Sequence, residues 1–370
     1  MIKNAYVHIP FCRSKCKYCS FVSFTDLNLK EAYLNALNKE ILAEYKGEKL
    51  NTLYFGGGTP SLLSINEIKI LMQLFNFAKD AEITFEANPD DINFEYLAGL
   101  KKLGINRLSL GCQTFDNEIL KTIGRRHNSG QTELAVSEAL KAGIDNISID
   151  LIYGLPGVNS GIGVNVGTNG FLKDLKKAVS LNIKHISLYG LKIDEGCEFY
   201  KNPPINLPDL DLQADMYLAA VETLKNNSFE HYEISNFSKK GFESKHNLNY
   251  WENKPYYGFG CAASGYIEGI RFENQPDLAK YIKNPLSKTS VQKLSKQEQL
   301  EEAIFLGFRK IAGINIEEIN KIYDIDFNRK YSKILEKYAD FFVKTQQGWA
   351  LNIQGILISN NILSEFIDKY

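Results

Sequence analysis

Over its first two-thirds the chain alternates short β-rich runs with amphipathic helical stretches. The runs at 5–9, 52–56, 82–88, 107–113, 146–153 and 185–193 read as strands, with helical patterns at 29–45, 66–79, 93–103, 130–142 and 170–181 between them. In the first of these, Leu29, Tyr33, Leu37, Ile41 and Tyr45 recur every four residues and share a face. Six successive β–α units predict a parallel sheet with helical crossovers, either open or part of a barrel.

The strands carry a second signal. Parallel strands covered on both faces read as near-continuous apolar runs, whereas here one parity is polar in strand after strand. Thr84, Glu86 and Asn88 alternate with Ile83, Phe85 and Ala87, and Ser109, Gly111 and Gln113 with Leu108, Leu110 and Cys112. Asn146, Ser148 and Asp150 alternate with Ile147, Ile149 and Leu151, and His185, Ser187 and Tyr189 with Ile186 and Leu188. The apolar set is expected against the helices. The polar set must face something that satisfies it, because a buried unpaired polar group costs roughly 1–3 kcal/mol. A ligand-holding lumen meets that need; an open sheet with one solvated face is the plainer alternative.

Beyond residue 200 the rhythm changes. Positions 209–225 read as a helix, HYEISNFS as a strand, and NKPYYGFGCAASGYIEGIRFEN as turn-rich β structure. From about 296 the pattern is helical again: Leu300, Ile304, Phe308 and Ile311 share a face, and further helices are expected near 316–323 and 329–338. FFVKTQQGWALN then reads as a hairpin, so the C-terminal part predicts a winged-helix-like unit. The expected organisation is 1–200, 201–295 and 296–370. One stretch stands outside this scheme: GVNSGIGVNVGTNG, 157–170, reads as a mobile loop beside the site. Its GxGxxxG spacing, with no helix opening inside it, is a poor dinucleotide fingerprint.

Composition narrows the classes. Lys and Arg number 43 against 44 Asp and Glu, a net charge of −1, and no basic stripe points to nucleic acid. The longest strictly apolar run, 216–221, is far below a membrane span. The stretch MIKNAYVHIPFC lacks the apolar segment of a secretory signal. A cytoplasmic setting is therefore expected, where clustered cysteines more often bind metal than pair as disulfides.

Three of the six cysteines stand within eight residues, Cys12, Cys16 and Cys19 in FCRSKCKYCSF. A structural zinc site wants four ligands, usually as two CxxC-like pairs, and Cys112, Cys197 and Cys261 lie singly. Four-iron clusters normally take four thiolates; with three, one iron is left open to a ligand that the protein does not supply.

The Cys12-x3-Cys16-x2-Cys19 spacing, with Tyr18 before the last cysteine, resembles the signature of the radical S-adenosylmethionine (SAM) superfamily. FGGGTP, residues 55–60, looks like that family's SAM-contacting glycine motif, where glycine lets a ligand approach the backbone; it lacks the lysine of a phosphate loop. YVHIPFC, FEANPD, LSLGCQTF, GRRH and IDLIYGLPG resemble, in order, the oxygen-independent coproporphyrinogen III oxidases and their relatives, the HemW-type heme chaperones. The resemblance runs nearly end to end. It implies a 4Fe–4S cluster on Cys12, Cys16 and Cys19, whose electron cleaves SAM to a radical. It also implies SAM contacts at Tyr6, Gly57, Gly58, Thr59, Glu86, Gln113, Arg125 and Asp150. Glu86, Gln113 and Asp150 already fall on the polar strand face by alternation.

Two places separate the relatives. The oxidases carry a further cysteine two positions after the third, where this chain has Phe21. The HemW-type proteins carry HNxxYW, which stands here as HNLNYW, with His246, Asn247, Tyr250 and Trp251. An imidazole can ligate heme iron and the two rings can pack on a porphyrin face; the plainer reading of His246 is a hydrogen-bonding residue of the barrel rim. Cys261, in GFGCAAS, and the length of 157–170 depart from the relatives' usual pattern. The resemblance implies an α/β fold, a partial (β/α)6 TIM-like barrel with additional β structure and a C-terminal helical unit. It also implies a heme chaperone that delivers heme to apo-cytochromes or other respiratory hemoproteins and draws on an electron donor for the cluster. The rival is a coproporphyrinogen III decarboxylating oxidase. A structural or sensing cluster protein would leave the polar strands unexplained.

Overall fold

The computed structural model describes residues 1–157 and 166–367. Its main sheet begins with six strands: β1 (Asn4–Ile9), β2 (Lys49–Gly57), β3 (Asn76–Ala87), β4 (Arg107–Gln113), β5 (Asn146–Tyr153) and β6 (His185–Gly190). Each pairs in parallel with the next in sequence. A hairpin of β7 (Glu230–Glu233) and β8 (Asn236–Ser238) extends the β6 edge antiparallel, and β9 (Tyr257–Phe259) lies parallel on the β1 edge. The nine-stranded order is β7-β8-β6-β5-β4-β3-β2-β1-β9. The expected partial barrel is therefore present, with β9 and the hairpin on its two edges.

The parity read from the sequence decides which way the strands face. Phe85, Leu108, Leu110, Ile147, Ile149, Leu151, Ile186 and Leu188 are buried among the helices. A one-residue slip in register would turn this set inward and the polar set outward, so burial locks the lumen's composition. The first helix, Lys30–Glu44, buries Tyr33, Leu37 and Ile41 as its spacing predicts.

Several boundaries differ from expectation. The second helix, Ile65–Met72, carries a Ser64/Glu67 capping box and stops well before position 79. Asn76 and Phe77 instead open β3, paired with Lys49 and Leu50, so sheet pairing overrides the apolar periodicity. HYEISNFS is a hairpin, not one strand: the buried Glu233 carboxylate accepts from Ser235 N (2.9 Å) and from the Asn236 amide, which turns the chain. An extra helix, Asn117–Thr122, follows β4. The helix expected from 170 already starts at Val166. The rest of the 157–170 loop reading falls on positions 158–165, outside the described residues.

The helix Lys245–Trp251 packs under the barrel. Asn4, Thr52 and Glu82 stand side by side in register near the start of β1. The Glu82 carboxylate accepts from Lys245 N (3.1 Å) and His246 N (3.0 Å), satisfying two of the helix's orphan donors. Past it, β10 (Ser264–Ile267), β11 (Ile270–Asn274) and β12 (Lys288–Lys293) form a small antiparallel sheet. The C-terminal part combines the helices Lys296–Gly307, Ile316–Tyr323, Phe327–Lys330 and Ser332–Lys337 with β13 (Ile314–Asn315), β14 (Phe342–Lys344) and β15 (Gly348–Leu351), so the helix expected near 329–338 is two short ones. Among the described residues no helix is long and apolar enough to cross a membrane.

One buried carboxylate ties this accessory β structure to the barrel. Glu40, fully buried on the first helix, accepts from Gly260 N (2.8 Å), Asn274 Nδ2 (2.6 Å) and Tyr281 OH (2.6 Å), with Lys288 Nζ at 3.4 Å. Removing one partner of a buried, paired charge costs about 3–5 kcal/mol. Glu40→Ala is therefore expected to lower the urea unfolding midpoint strongly. Glu44→Ala, on the same lysine but partly exposed, should cost less than about 1 kcal/mol.

Candidate functional site

Strand β1 runs straight into the cysteine loop. Phe11 is buried edge-on to Tyr33, with centroids 5.4 Å apart, and anchors the exit. Cys12 N–H donates to Phe24 O (3.0 Å) and Phe24 N–H to Pro10 O (2.7 Å), closing the loop on itself. Lys17 N–H reaches Ile123 O (3.0 Å), and Phe199 N–H reaches Lys17 O (2.8 Å). The loop is thus pinned by segments following β4 and β6.

Cys12, Cys16 and Cys19 line one cavity of about 480 Å³, together with Gly57, Gly58, Thr59, Glu86, Gln113, Arg125 and Asp150. The cavity lies at the C-terminal ends of the strands, where barrel sites are built. Burial pushes the Cys12 and Cys19 thiols up, and neighbouring cysteines add to that. At Cys12 a hydrogen bond opposes it, Thr59 Oγ1 donating to Sγ (3.4 Å); Arg125 Nη1 donates to Cys16 Sγ (3.6 Å). Among the described residues no three ligand side chains converge as a single metal ion requires. Three thiols on one cavity wall, with donors aimed at two of the sulfurs, fit a thiolate-held cluster better than one zinc ion. Cys112, Cys197 and Cys261 are buried free thiols within the packing.

The polar strand face forms the cavity's other walls. Glu86 accepts from Tyr54 OH (2.7 Å) and Gly57 N (3.1 Å). Burial, with Asp150 nearby, raises its carboxyl to about 7. Asp150 is also raised by burial, against hydrogen bonds from Ser187 and Ser109, the latter at 3.1 Å. Arg125 donates to Gly111 O (2.5 Å) and Asn88 Oδ1 (2.7 Å), so one guanidinium links β4, the end of β3 and the cysteine loop. Gln113 sits at φ 70 beside a register shift in β4, a left-handed conformation uncommon outside glycine.

The glycines of 56–58 have a reason the sequence did not show. A Cβ on Gly57 (φ +109) would meet the His8 ring at 2.4 Å, and one on Gly58 would meet Phe11 O at 2.7 Å. Their smallness lets β2 and the cysteine loop close on each other, which by itself requires glycine here.

Tyr6 does not line this cavity. It lies in an adjoining pocket, with its hydroxyl 3.0 Å from His8 Nδ1. Of the HNLNYW residues only Tyr250 reaches either space, and it too lines that second pocket. His246 is buried beneath the barrel, its Nδ1 2.8 Å from Thr52 Oγ1 and its Nε2 2.8 Å from Tyr250 OH. Thr52 and Gly57 are five residues apart on one strand, about 16 Å. Both ring nitrogens are occupied, and burial followed by the Arg107 charge lowers the imidazole to about 3. In this arrangement no His246 nitrogen is free for iron. Asn247 caps through its backbone to Ser244, and Trp251 packs toward the Glu233 carboxylate.

Tyr54 and Asn88, which hold Glu86 and Arg125, were missed as site residues. Asn88 was already on the polar parity, and Thr52-x-Tyr54-x-Gly56 continues that parity into β2. Arg107 shares parity with Ser109 and lies fully buried in the barrel interior; its sequence signal was equally available.

Comparison with known proteins places these features in context. The profile of the Radical SAM superfamily matches residues 6–161. The heme chaperone HemW of Lactococcus lactis is 37% identical, covering 98% of this chain and 97% of that protein. Its counterpart in Bacillus subtilis is 35% identical over the full length of both. The solved Escherichia coli coproporphyrinogen III oxidase, a radical SAM enzyme, superposes with a TM-score of 0.85. It is 22% identical, over 99% of this chain and 90% of that one, a likeness of fold.

The raised Glu86 carboxyl makes a signed prediction. Below about pH 7 it holds its proton and offers a cation little; above, it is a carboxylate. Affinity for SAM, measured by calorimetry, should rise as pH passes upward through about 7 and then level off. Glu86→Gln should bind more weakly at pH 8 and lose the rise.

Proposed function

This chain belongs to the HemW heme chaperones of the radical SAM superfamily, and from that premise we propose that it binds heme and delivers it to respiratory-chain hemoproteins in the cytoplasm. The observation that carries the reading is the end-to-end relationship to HemW proteins, at 37% and 35% identity. In this reading Cys12, Cys16 and Cys19 hold a 4Fe–4S cluster that receives electrons from a donor protein. When bound, the cluster supplies the electron for reductive cleavage of SAM.

The chain's own side chains account for the rest. Glu86 and Asp150 face the cavity as acids suited to the cationic groups of SAM. Arg125 offsets thiolate charge at Cys16 while holding Asn88 and Gly111. Gly57, Gly58, Thr59 and Gln113 present backbone and polar groups at the strand ends, and Tyr6 closes the neighbouring wall. The division into 1–200, 201–295 and 296–370 then separates the cluster and SAM site, the helix Lys245–Trp251 with the accessory sheet, and a mainly helical unit.

The second reading, oxygen-independent oxidation of coproporphyrinogen III, has the fold likeness in its favour. Against it stands Phe21, two-thirds exposed at the cavity lip, where the oxidases carry a cysteine. Anaerobic reconstitution should load about four irons and four sulfides per chain, and Ala at Cys12, Cys16 or Cys19 should abolish the charge-transfer absorbance. The loaded chain should take up heme and pass it to an apo-cytochrome while leaving coproporphyrinogen III unconverted. Multiple-turnover decarboxylation, or zinc in place of iron after oxygen-free purification, would overturn the assignment.

A further inference from the structure

Two arginines serve the barrel interior, and they stand in opposite conditions. Arg125 is engaged by Gly111 O, Asn88 Oδ1 and Cys16 Sγ. Arg107 is 2% exposed and has no partner for its Nε. The arginine ion pairs among the described residues belong to Arg13, Arg126 and Arg271 instead. Its own row of the sheet offers no anion. Register places Thr84 on one side and Asn146 on the other, with Tyr54 beyond Thr84, and Thr84 Oγ1 and Asn146 Oδ1 themselves lack partners. A full positive charge is thus buried in the lumen without local neutralisation, which folding by itself does not favour.

Carboxylates lie one inward row away in both directions along β3. Below, Glu82 is satisfied by Lys245 N and His246 N. Above, Glu86 stands beside Ser109, two residues past Arg107 on β4; strand geometry puts its Cα about 8 Å from that of Arg107. Asp150 follows on β5, beside Gly111. Both upper acids face the cavity that the three cysteines also line. The other titratable groups nearby bring no charge to answer them. Burial keeps the Tyr6, Tyr54, Tyr189, Tyr232 and Tyr250 phenols protonated, and the His8, His185 and His246 imidazoles neutral. Glu233, beside Tyr232, is itself raised by burial and accepts from Ser235 N and the Asn236 amide.

Resting on the SAM-site reading above, we propose that Arg107 is the internal counter-charge of that site, the group that lets Glu86 and Asp150 be ionised together for a cationic ligand. It does not line the cavity, so it is a positioning residue that acts through the two acids. Its want of a partner suits it to that role. A guanidinium paired with one carboxylate would hold that acid ionised and leave its charge against the other. An unpaired one acts on both through its field, which carries far in a poorly screened interior. The direction is consistent at each acid. Burial and the neighbouring Asp150 raise the Glu86 carboxyl, hydrogen bonds from Tyr54 and Gly57 oppose them, and Arg107 is the cation that joins in lowering it. At Asp150 burial again raises the carboxyl, and after the bonds from Ser187 and Ser109 the Arg107 charge comes ahead of that of Arg125 in lowering it.

The test is SAM affinity against pH, by calorimetry on the anaerobically reconstituted full-length chain. Arg107→Met removes the charge and keeps most of the length. The midpoint of the rise expected near pH 7 should then move up by about one unit. Binding should weaken about fivefold at pH 7 and hardly at all at about pH 9; the ligand's own titration is common to both proteins and cancels in the ratio. Arg107→Lys keeps the charge and should leave the midpoint in place. Without ligand, the infrared band of a protonated carboxyl, assigned by its loss in Glu86→Gln, should persist to higher pH in Arg107→Met. Arg107→Gln serves for the same measurements where the Met variant does not fold. An unmoved midpoint and band in a variant of unchanged circular dichroism overturn the proposal and leave the SAM site standing. Equal weakening at both pH values, the mark of a merely structural part, does the same. Failure of the unmodified, cluster-loaded chain to bind SAM at any pH ends both.

Discussion

A parallel sheet with a polar inner face has to satisfy that face along its whole depth, and this constraint shapes the rest of the molecule. At the N-terminal end protein groups do much of it. Thr52, His246, Tyr250, Asn4 and Asn249 form one chain of hydrogen bonds, and His185 bridges Ser148 and Tyr232 at 2.8 Å each. Arg107 lies among them, buried, with no partner for its Nε. After burial itself, its charge is what holds His185 and His246 neutral. A neutral imidazole has one donor and one acceptor, and because Thr52 Oγ1 donates to Asn4 Oδ1 the network around His246 has a single proton arrangement.

At the C-terminal end the same strands present Glu86, Gln113 and Asp150 to a cavity instead. Their partners there are few, and two acids with raised pKa values face open space. Groups left in that condition are typical of sites that complete themselves with a ligand. The difference between floor and mouth is therefore one of access to the cavity, not of composition.

The cysteine loop is the element that joins the two spaces above the floor. It leaves β1 at Phe11, is clamped to the segments after β4 and β6, and turns its Ser20–Phe21 corner into both the cluster cavity and the aromatic pocket. The two spaces therefore share part of one wall. The accessory β structure supplies the far wall of the second pocket, and the buried Glu40 network holds that wall against the first helix.

The sequence by itself determined the parallel β–α order, the inward polar parity and the cysteine loop, because each is written in short-range spacing: period two, period near four, and gaps of three and two. It also carried Glu86, Gln113 and Asp150 to one face without any knowledge of their neighbours. Tertiary structure decided what spacing cannot encode. The helix at 66 ends early because Asn76 and Phe77 find Lys49 and Leu50 across the sheet. Gly57 and Gly58 are needed because His8 and Phe11 lie against them. His246 looked available for iron until residues 52 and 250 closed on its two nitrogens. A histidine's chemistry depends on which groups occupy its ring nitrogens, and Thr52, 194 positions away, becomes a neighbour only when the chain folds.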